Sequence, residues 1–333
     1  MANRREVLKG VAMGAMLLGT EENGLAGMMK SAAESSAKPR VILATDKNVR
    51  GGGVQPDEKR VLDLLDKAIA TYTGHNRPVE SWKQILGSAK RVTLKVNMLG
   101  GKGLCTHPIL ALAVCERIQQ AGIQAGDIII WDRNTHELER NGYTVSMDKN
   151  KIRCFGNDAP GYGFEESSVS FGKATVHLAK ILTRESDMVI NMPILKDHGG
   201  AGITFAMKNM YGVVQKPNEL HGGNCSPYVA DLNRIPEVRE KVRFTVGDAL
   251  TACYNGGPGF KPEFVWEPNS LLVGADRVAL DYTAWQWIEQ KRAEMKMPTL
   301  AAANRSPKYI AVAADAEHQL GVADPRHFSL LQV

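Results

Sequence analysis

Apolar residues recur along this chain in two rhythms. From Pro56 to Thr71 they fall at Val61, Leu62, Leu64, Leu65, Ala68 and Ile69, the spacing of an amphipathic helix with one inward face. Ile128-Ile129-Ile130, inside Asp127 to Trp131, is apolar at every position, which predicts a strand covered on both faces. Further strands are expected at Arg40 to Ala44, Arg91 to Asn97, Asp187 to Asn191, Arg243 to Gly247 and Ser270 to Gly274. Helices are expected at Val79 to Leu86, Pro108 to Ala121, Arg277 to Arg292 and Lys308 to Leu320. Strand and helix therefore alternate, the mark of a parallel sheet with helical crossovers. Between residues 141 and 180 the texture changes: Gly, Ser and Asn are frequent, and the alternation in Ser168 to Leu178 predicts an inserted hairpin. The expected fold class is α/β, a mainly parallel sheet in Rossmann-like lobes, with helices on both faces. The lobes would span about 38–140 and 181–333, with the insertion between them.

The first 37 residues follow neither rhythm. Arg4-Arg5, then Val7-Leu8-Lys9 and a short apolar run from Gly10 to Gly19, resemble a twin-arginine (Tat) export signal. Ser35-Ser36-Ala37 and Gly24-Leu25-Ala26 both offer small residues for cleavage, so the cut is open between them. The resemblance implies a periplasmic or other extracytoplasmic location and the Tat machinery as a partner. It also implies a mature domain at 38–333 with no stable membrane anchor after cleavage. That route carries folded proteins, often ones already loaded with a cofactor. A basic tail of no fixed structure is the bland alternative.

Composition narrows the classes further. With 333 residues, 44% of them hydrophobic, the chain can bury a core without disulfide staples. Its 41 Lys and Arg against 36 Asp and Glu leave a net charge of +5, but the basic residues are dispersed, so no nucleic acid is expected as a partner. Cys105, Cys115, Cys154, Cys225 and Cys253 stand far apart with no Cys-x-x-Cys, which argues against a self-contained iron–sulfur or zinc-ribbon site. In an oxidising compartment two disulfides could form among them, with one thiol left over.

In an open α/β sheet, ligands sit beyond the carboxyl ends of the strands. Lys95-Val96-Asn97 is followed by Gly100-Gly101-Lys102-Gly103, then by Thr106-His107-Pro108 opening a helix that Thr106 can cap. Free backbone N–H groups there could hold an anion, or the loop is only a tight turn with a capped helix and no ligand. The stretch from Met192 to Gly212 is denser, with Lys196, His198, Lys208 and Asn209 in a short span. Lysines gathered at a strand end repel unless an anion or carboxylates such as Asp231 and Asp248 balance them. His198, His221, Asp231 and Asp248 could together ligate a divalent metal, though no His-x-x-x-His spacing supports it.

Several of these stretches together resemble the family catalogued as domain of unknown function 362. They are Lys95-Val96-Asn97 with Gly100-Gly101 and Thr106-His107-Pro108; Asn191 to His198; Thr204 to Gly212 with Lys208-Asn209; His221; Asp231-Leu232-Asn233; Asp248; Gly256-Gly257-Pro258; and Asp276 to Asp281. The resemblance spans roughly residues 40–325. Many members are fused to ferredoxin-type iron–sulfur modules, which this chain departs from in having none. More distantly, Gly202, Lys208, Gly212 and His221 are similar in layout to nickel-pincer lactate racemases, from which no residue role is carried over. The expected function is an exported, cofactor- or metal-dependent enzyme with an anionic ligand in an interlobe cleft. Lys95, Asn97, Gly100, Gly101, Thr106, His107, Lys196 and Asn209 would bind it, and His198, Lys208 and His221 would carry the chemistry. Asp231 and Asp248 are candidate metal ligands, and a divalent metal or redox cofactor is allowed. The rival is a non-catalytic binding or assembly protein with a redox partner outside the cytoplasm. Because His198, Lys208 and His221 lie in or beside glycine-rich loops, their replacement is expected to spare folding.

Overall fold

Short runs of β-branched and aliphatic residues become the strands of one sheet in the computed structural model, which describes residues 38–333. Residues 1–37, where an export signal is expected, lie outside those residues. β1 (Arg40–Thr45) leads through α1 (Glu58–Thr73) and α2 (Pro78–Leu86) to β2 (Val92–Lys95). From there α3 (Pro108–Gln120) crosses to β3 (Ile128–Trp131), and α4 (Thr135–Arg140) precedes β4 (Arg153–Cys154). A hairpin of β5 (Val169–Phe171) and β6 (Ala174–Val176), then α5 (Lys180–Arg184), return the chain to β7 (Met188–Asn191). β8 (Ile194–His198) and β9 (Gly202–Thr204) follow, then α6 (Tyr228–Arg234), α7 (Pro236–Lys241) and the long β10 (Val242–Cys253). β11 (Val265–Trp266), β12 (Ser270–Gly274), α8 (Arg277–Glu294), α9 (Tyr309–Ala313) and β13 (Ser329–Gln332) complete the order.

The main path of the sheet runs β13-β1-β12-β10-β7-β2-β3-β4, with β8 and β11 also on β10 and β9 on β8. From β10 through β7, β2 and β3 to β4 the neighbours are parallel. β12 is antiparallel to both β10 and β1, and β13 is parallel to β1. Residues of β2, β3 and β7 are buried throughout, because helices cover both faces. One face packs Val61, Leu64, Leu65, Ala68 and Ile69 of α1 with Trp82 and Leu110. The other packs the hairpin, α6 and α8. Asp57 caps α1 by accepting from the Arg60 N–H at 3.0 Å.

Four expectations change. The two lobes share this sheet, and Pro39–Val333 form one compact unit. The strand expected at 243–247 runs on to Cys253, because after leaving β7 it pairs with β8. The segment after β7, read as a loop, is the β8–β9 hairpin. The last helix is only Tyr309–Ala313 and is followed by β13, where no strand was expected. It stops early because His318, four residues on from Ala314, is tied through Nδ1 to Asp315 at 2.8 Å and through Nε2 to Asp231 at 2.9 Å, which closes a turn. All five cysteines are buried and none is paired. Among the described residues no helix is long and apolar enough to cross a membrane.

Candidate functional site

Strand order reverses between β2 and β7: β3 and β4 extend to one side, β7 and β10 to the other. A crevice opens at the carboxyl ends of strands where such a reversal occurs. There the protein holds a cleft of about 660 Å³, lined among others by Lys95, Asn97, Asp132, His198, Thr204, Lys208, Asn209 and His221. Lys95 ends β2 and Asp132 directly follows β3, while His198 and Thr204 end the two strands of the β8–β9 hairpin. Lys208 and Asn209 lie in the 3₁₀ turn Lys208–Val213.

Beneath the opening is a connected polar floor. Lys95 Nζ pairs with Asp132 Oδ1 at 2.7 Å, and the other oxygen of Asp132 accepts from the Met98 N–H at 2.7 Å. Lys196 Nζ donates to Asn97 Oδ1 at 2.9 Å. Asn97 Nδ2 donates to Asn209 Oδ1 at 2.9 Å, and Asn209 Nδ2 donates to Asn191 Oδ1 at 2.8 Å. The backbone passes closely over this floor at Gly212, where a Cβ would stand 2.5 Å from Lys95 Nζ and 3.0 Å from Asp132 Oδ1. Only glycine fits there without disrupting the ion pair.

At the cleft wall two imidazoles stack, His198 and His221, with centroids 5.5 Å apart and planes 24° apart. His198 Nδ1 accepts from the Gly200 and Ala201 N–H groups at 3.0 and 3.1 Å, so its Nε2 carries the proton in the neutral ring. Lys208 Nζ lies 3.2 Å from His221 Nε2.

The electrostatics are one-sided. Lys95, Lys196 and Lys208 are buried, yet only Lys95 has a carboxylate partner; Lys196 and Lys208 form no ion pair among the described residues. Burial lowers all three lysines, Lys196 to about 8 and Lys208 to about 7, with Asp132 opposing the fall at Lys95 and Lys196. Burial, helped by the neighbouring Lys208 charge, pushes His198 down to about 3 and lowers His221. Uncompensated buried charge costs several kcal/mol per ion. Thr204 adds a further sign: its hydroxyl, in a residue 3% exposed, has no hydrogen-bond partner.

Of the residues expected at the site, Lys95, Asn97, Lys196, His198, Lys208, Asn209 and His221 come together here. They are not on exposed loops: His198 and Lys208 are buried and His221 is half-buried, so surface exposure is no longer a reason for their loss to spare folding. Asn97, just after β2, meets Lys196, but Gly100 and Gly101 of the glycine loop do not line the cleft. A Cβ on Gly100 would stand 1.9 Å from the Leu104 carbonyl oxygen, and the Gly100 carbonyl accepts from the Phe260 N–H at 3.1 Å. Thr106 does not cap α3. His107 holds that position, and the Thr106 hydroxyl instead accepts from the Asn97 N–H and donates to the Met192 carbonyl.

Asp248 takes both His107 Nδ1, at 2.8 Å, and the His107 N–H, at 2.7 Å. Asp231 accepts from the Lys173 N–H at 2.8 Å and pairs with His318. Neither carboxylate lines the cleft, and among the described residues no group of three or more His, Cys, Asp or Glu side chains is placed to hold a metal. Two cleft residues were given no site role from the sequence. Asp132 was findable, since it directly follows an all-apolar strand. Thr204 was not, because only the fold leaves its hydroxyl unpartnered.

A family model described as "Domain of unknown function (DUF362)" matches residues 92–286, a span that holds every cleft residue named above. The thylakoid-associated protein sll1697 of Synechocystis sp. is 27% identical over 227 residues, which cover 65% of this chain and 67% of that protein. A crystal structure of a Thermotoga maritima protein is 14% identical with a TM-score of 0.42, covering 72% of this chain and 60% of the other. The chain thus spans less than two thirds of that structure's length.

Proposed function

The chain belongs to the DUF362 family, a domain of unknown function, and from that premise we propose that it is an enzyme acting on a small anionic ligand in the cleft at the β2/β7 reversal. The observation that carries this reading is the pair of buried ammonium groups, Lys196 and Lys208, left without carboxylates. An anion entering the cleft would supply the missing countercharge and a partner for Thr204. Lys208 and His221 share a hydrogen bond next to the ligand space, which suits proton transfer. No metal is assigned to Asp231 or Asp248 in this reading, since both are committed elsewhere.

The test is thermal unfolding of the purified full chain with phosphate, sulfate and small carboxylates. At least one is expected to raise the melting temperature of the native protein and not that of Lys208→Met. Equal protection of both, or of neither, overturns the site. Binding with no turnover of any bound anion would favour the non-catalytic assembly role instead. Export is a separate proposal, supported by the Arg4-Arg5 and Leu8-Lys9 pattern. The double change Arg4→Lys, Arg5→Lys is expected to hold the protein in the cytoplasm, and normal export of that variant overturns it.

A further inference from the structure

The Lys208 amine stands between two rings. Its Nζ lies 3.2 Å from His221 Nε2 and 3.3 Å from the centre of the Tyr211 ring. His221 Nδ1 is 2.9 Å from the Pro217 carbonyl, which can only accept, so Nδ1 donates and Nε2 presents its lone pair to Lys208. The imidazole is therefore set to take a proton from the amine. Burial lowers Lys208 to about 7 and the nearby Lys196 charge adds to the fall, so an uncharged amine is well populated near neutrality. A desolvated lysine beside another cation is the arrangement that activates an amine toward carbonyl carbon. Two donors without a protein partner line the same cleft, the Thr204 hydroxyl and the Nε2–H of His198. Those donors fit a carboxylate.

Building on the anion-binding reading, we propose that the ligand is a small 2-oxo acid, which Lys208 binds covalently as an imine. The amine nitrogen attacks the carbonyl carbon; a C–N bond forms, and the C=O π pair moves to oxygen. A proton passes from nitrogen, by way of His221 Nε2, to that oxygen. The carbinolamine then loses its hydroxyl, together with the remaining nitrogen-bound proton, as water. One C=O becomes one C=N, one water leaves, and no oxidant or reductant takes part. Thr204 and His198 hold the carboxylate while this happens, and Lys196 contributes positive field from the layer below.

Reductive trapping tests it. The full chain is incubated with glyoxylate or pyruvate, treated with borohydride, and mapped by peptide mass. A single reduced adduct on the Lys208 peptide is expected, lost in Lys208→Arg and formed more slowly in His221→Asn. A purely structural Lys208 would give no adduct. Labelling confined to exposed lysines, with Lys208 unmodified, overturns the proposal; because this is read on the unaltered protein, it holds even if a variant fails to fold. Protection against unfolding by pyruvate without a trapped Lys208 overturns the imine alone and leaves the anion site standing. Absence of adduct and of protection by pyruvate, phosphate and sulfate alike overturns the anion site as well.

Discussion

The glycine loop at Gly100–Gly103 and the stretch from Lys196 to Gly212 leave the same edge of the sheet, and both read in sequence as ligand loops. In the fold they differ in what satisfies them. Gly100 is glycine because the Leu104 carbonyl crowds its Cβ position, and its own carbonyl is taken by the Phe260 N–H. Protein fills the approach that a ligand would have used. Along Lys196 to Gly212 the backbone is equally close-packed, with Gly212 against Lys95, yet Lys196, Lys208 and Thr204 are left short of partners. Glycine marks close approach of something; the proposed anion site rests instead on the unbalanced charge and on the orphaned hydroxyl beside it.

The sharpest way to break that contrast is to exchange the two effects. Lys208→Met is expected to weaken binding of an inorganic anion by about 2–5 kcal/mol, the scale for a lost buried charge contact. Its melting temperature without anion should hold or rise, since an unpaired buried charge is gone. Calorimetric titration and thermal unfolding, run together, check both. Gly100→Ala should do the reverse: it forces a Cβ onto backbone and costs about 3 kcal/mol of stability, at the upper end for overpacking. The folded fraction should still bind the anion as the native protein does, and a selective loss of binding in Gly100→Ala would erase the distinction.

A pH series sharpens it further. Lys208 and Lys196 titrate near 7 and 8 when folded and near the ordinary lysine value of 10.5 when unfolded. Between those values the unfolded chain carries more protons, so the stability of the anion-free protein rises with pH across this window. Affinity for sulfate or phosphate should fall over the same window as the ammonium charges are lost. Opposite slopes in the two measurements are the expected result; parallel slopes would mean that other groups dominate. The smallest effect is expected for Gly101→Ala. There the Cβ meets nothing within 4 Å, and only the φ of +75° opposes it. The cost should be about 1–2 kcal/mol in unfolding, with no change in affinity.

Much of the frame was legible in the sequence. The all-apolar run at Ile128-Ile129-Ile130 and the three-four spacing of α1 report burial directly, because a covered strand and a half-covered helix impose different periods. The pairing of β10 with β8 was not legible, nor was β13, whose short run Ser329–Gln332 is largely exposed and carries little apolar pattern. At the site, seven of the residues singled out do converge, since strand ends of a parallel sheet must share an edge. Thr106, His107, Asp231 and Asp248 looked equally chemical, and the fold engages them with one another, with His318 and with backbone.

Taken alone, the sequence determined which segments are buried and which strand ends carry polar groups, because periodicity and residue type are local properties. Which polar groups find protein partners is a property of pairs far apart in the chain. His107 meets Asp248 and His318 meets Asp231 across more than eighty residues, while Lys196 and Lys208 meet no carboxylate at all. Only the tertiary structure could separate the charges that protein neutralises from Lys196 and Lys208, which it leaves without a carboxylate.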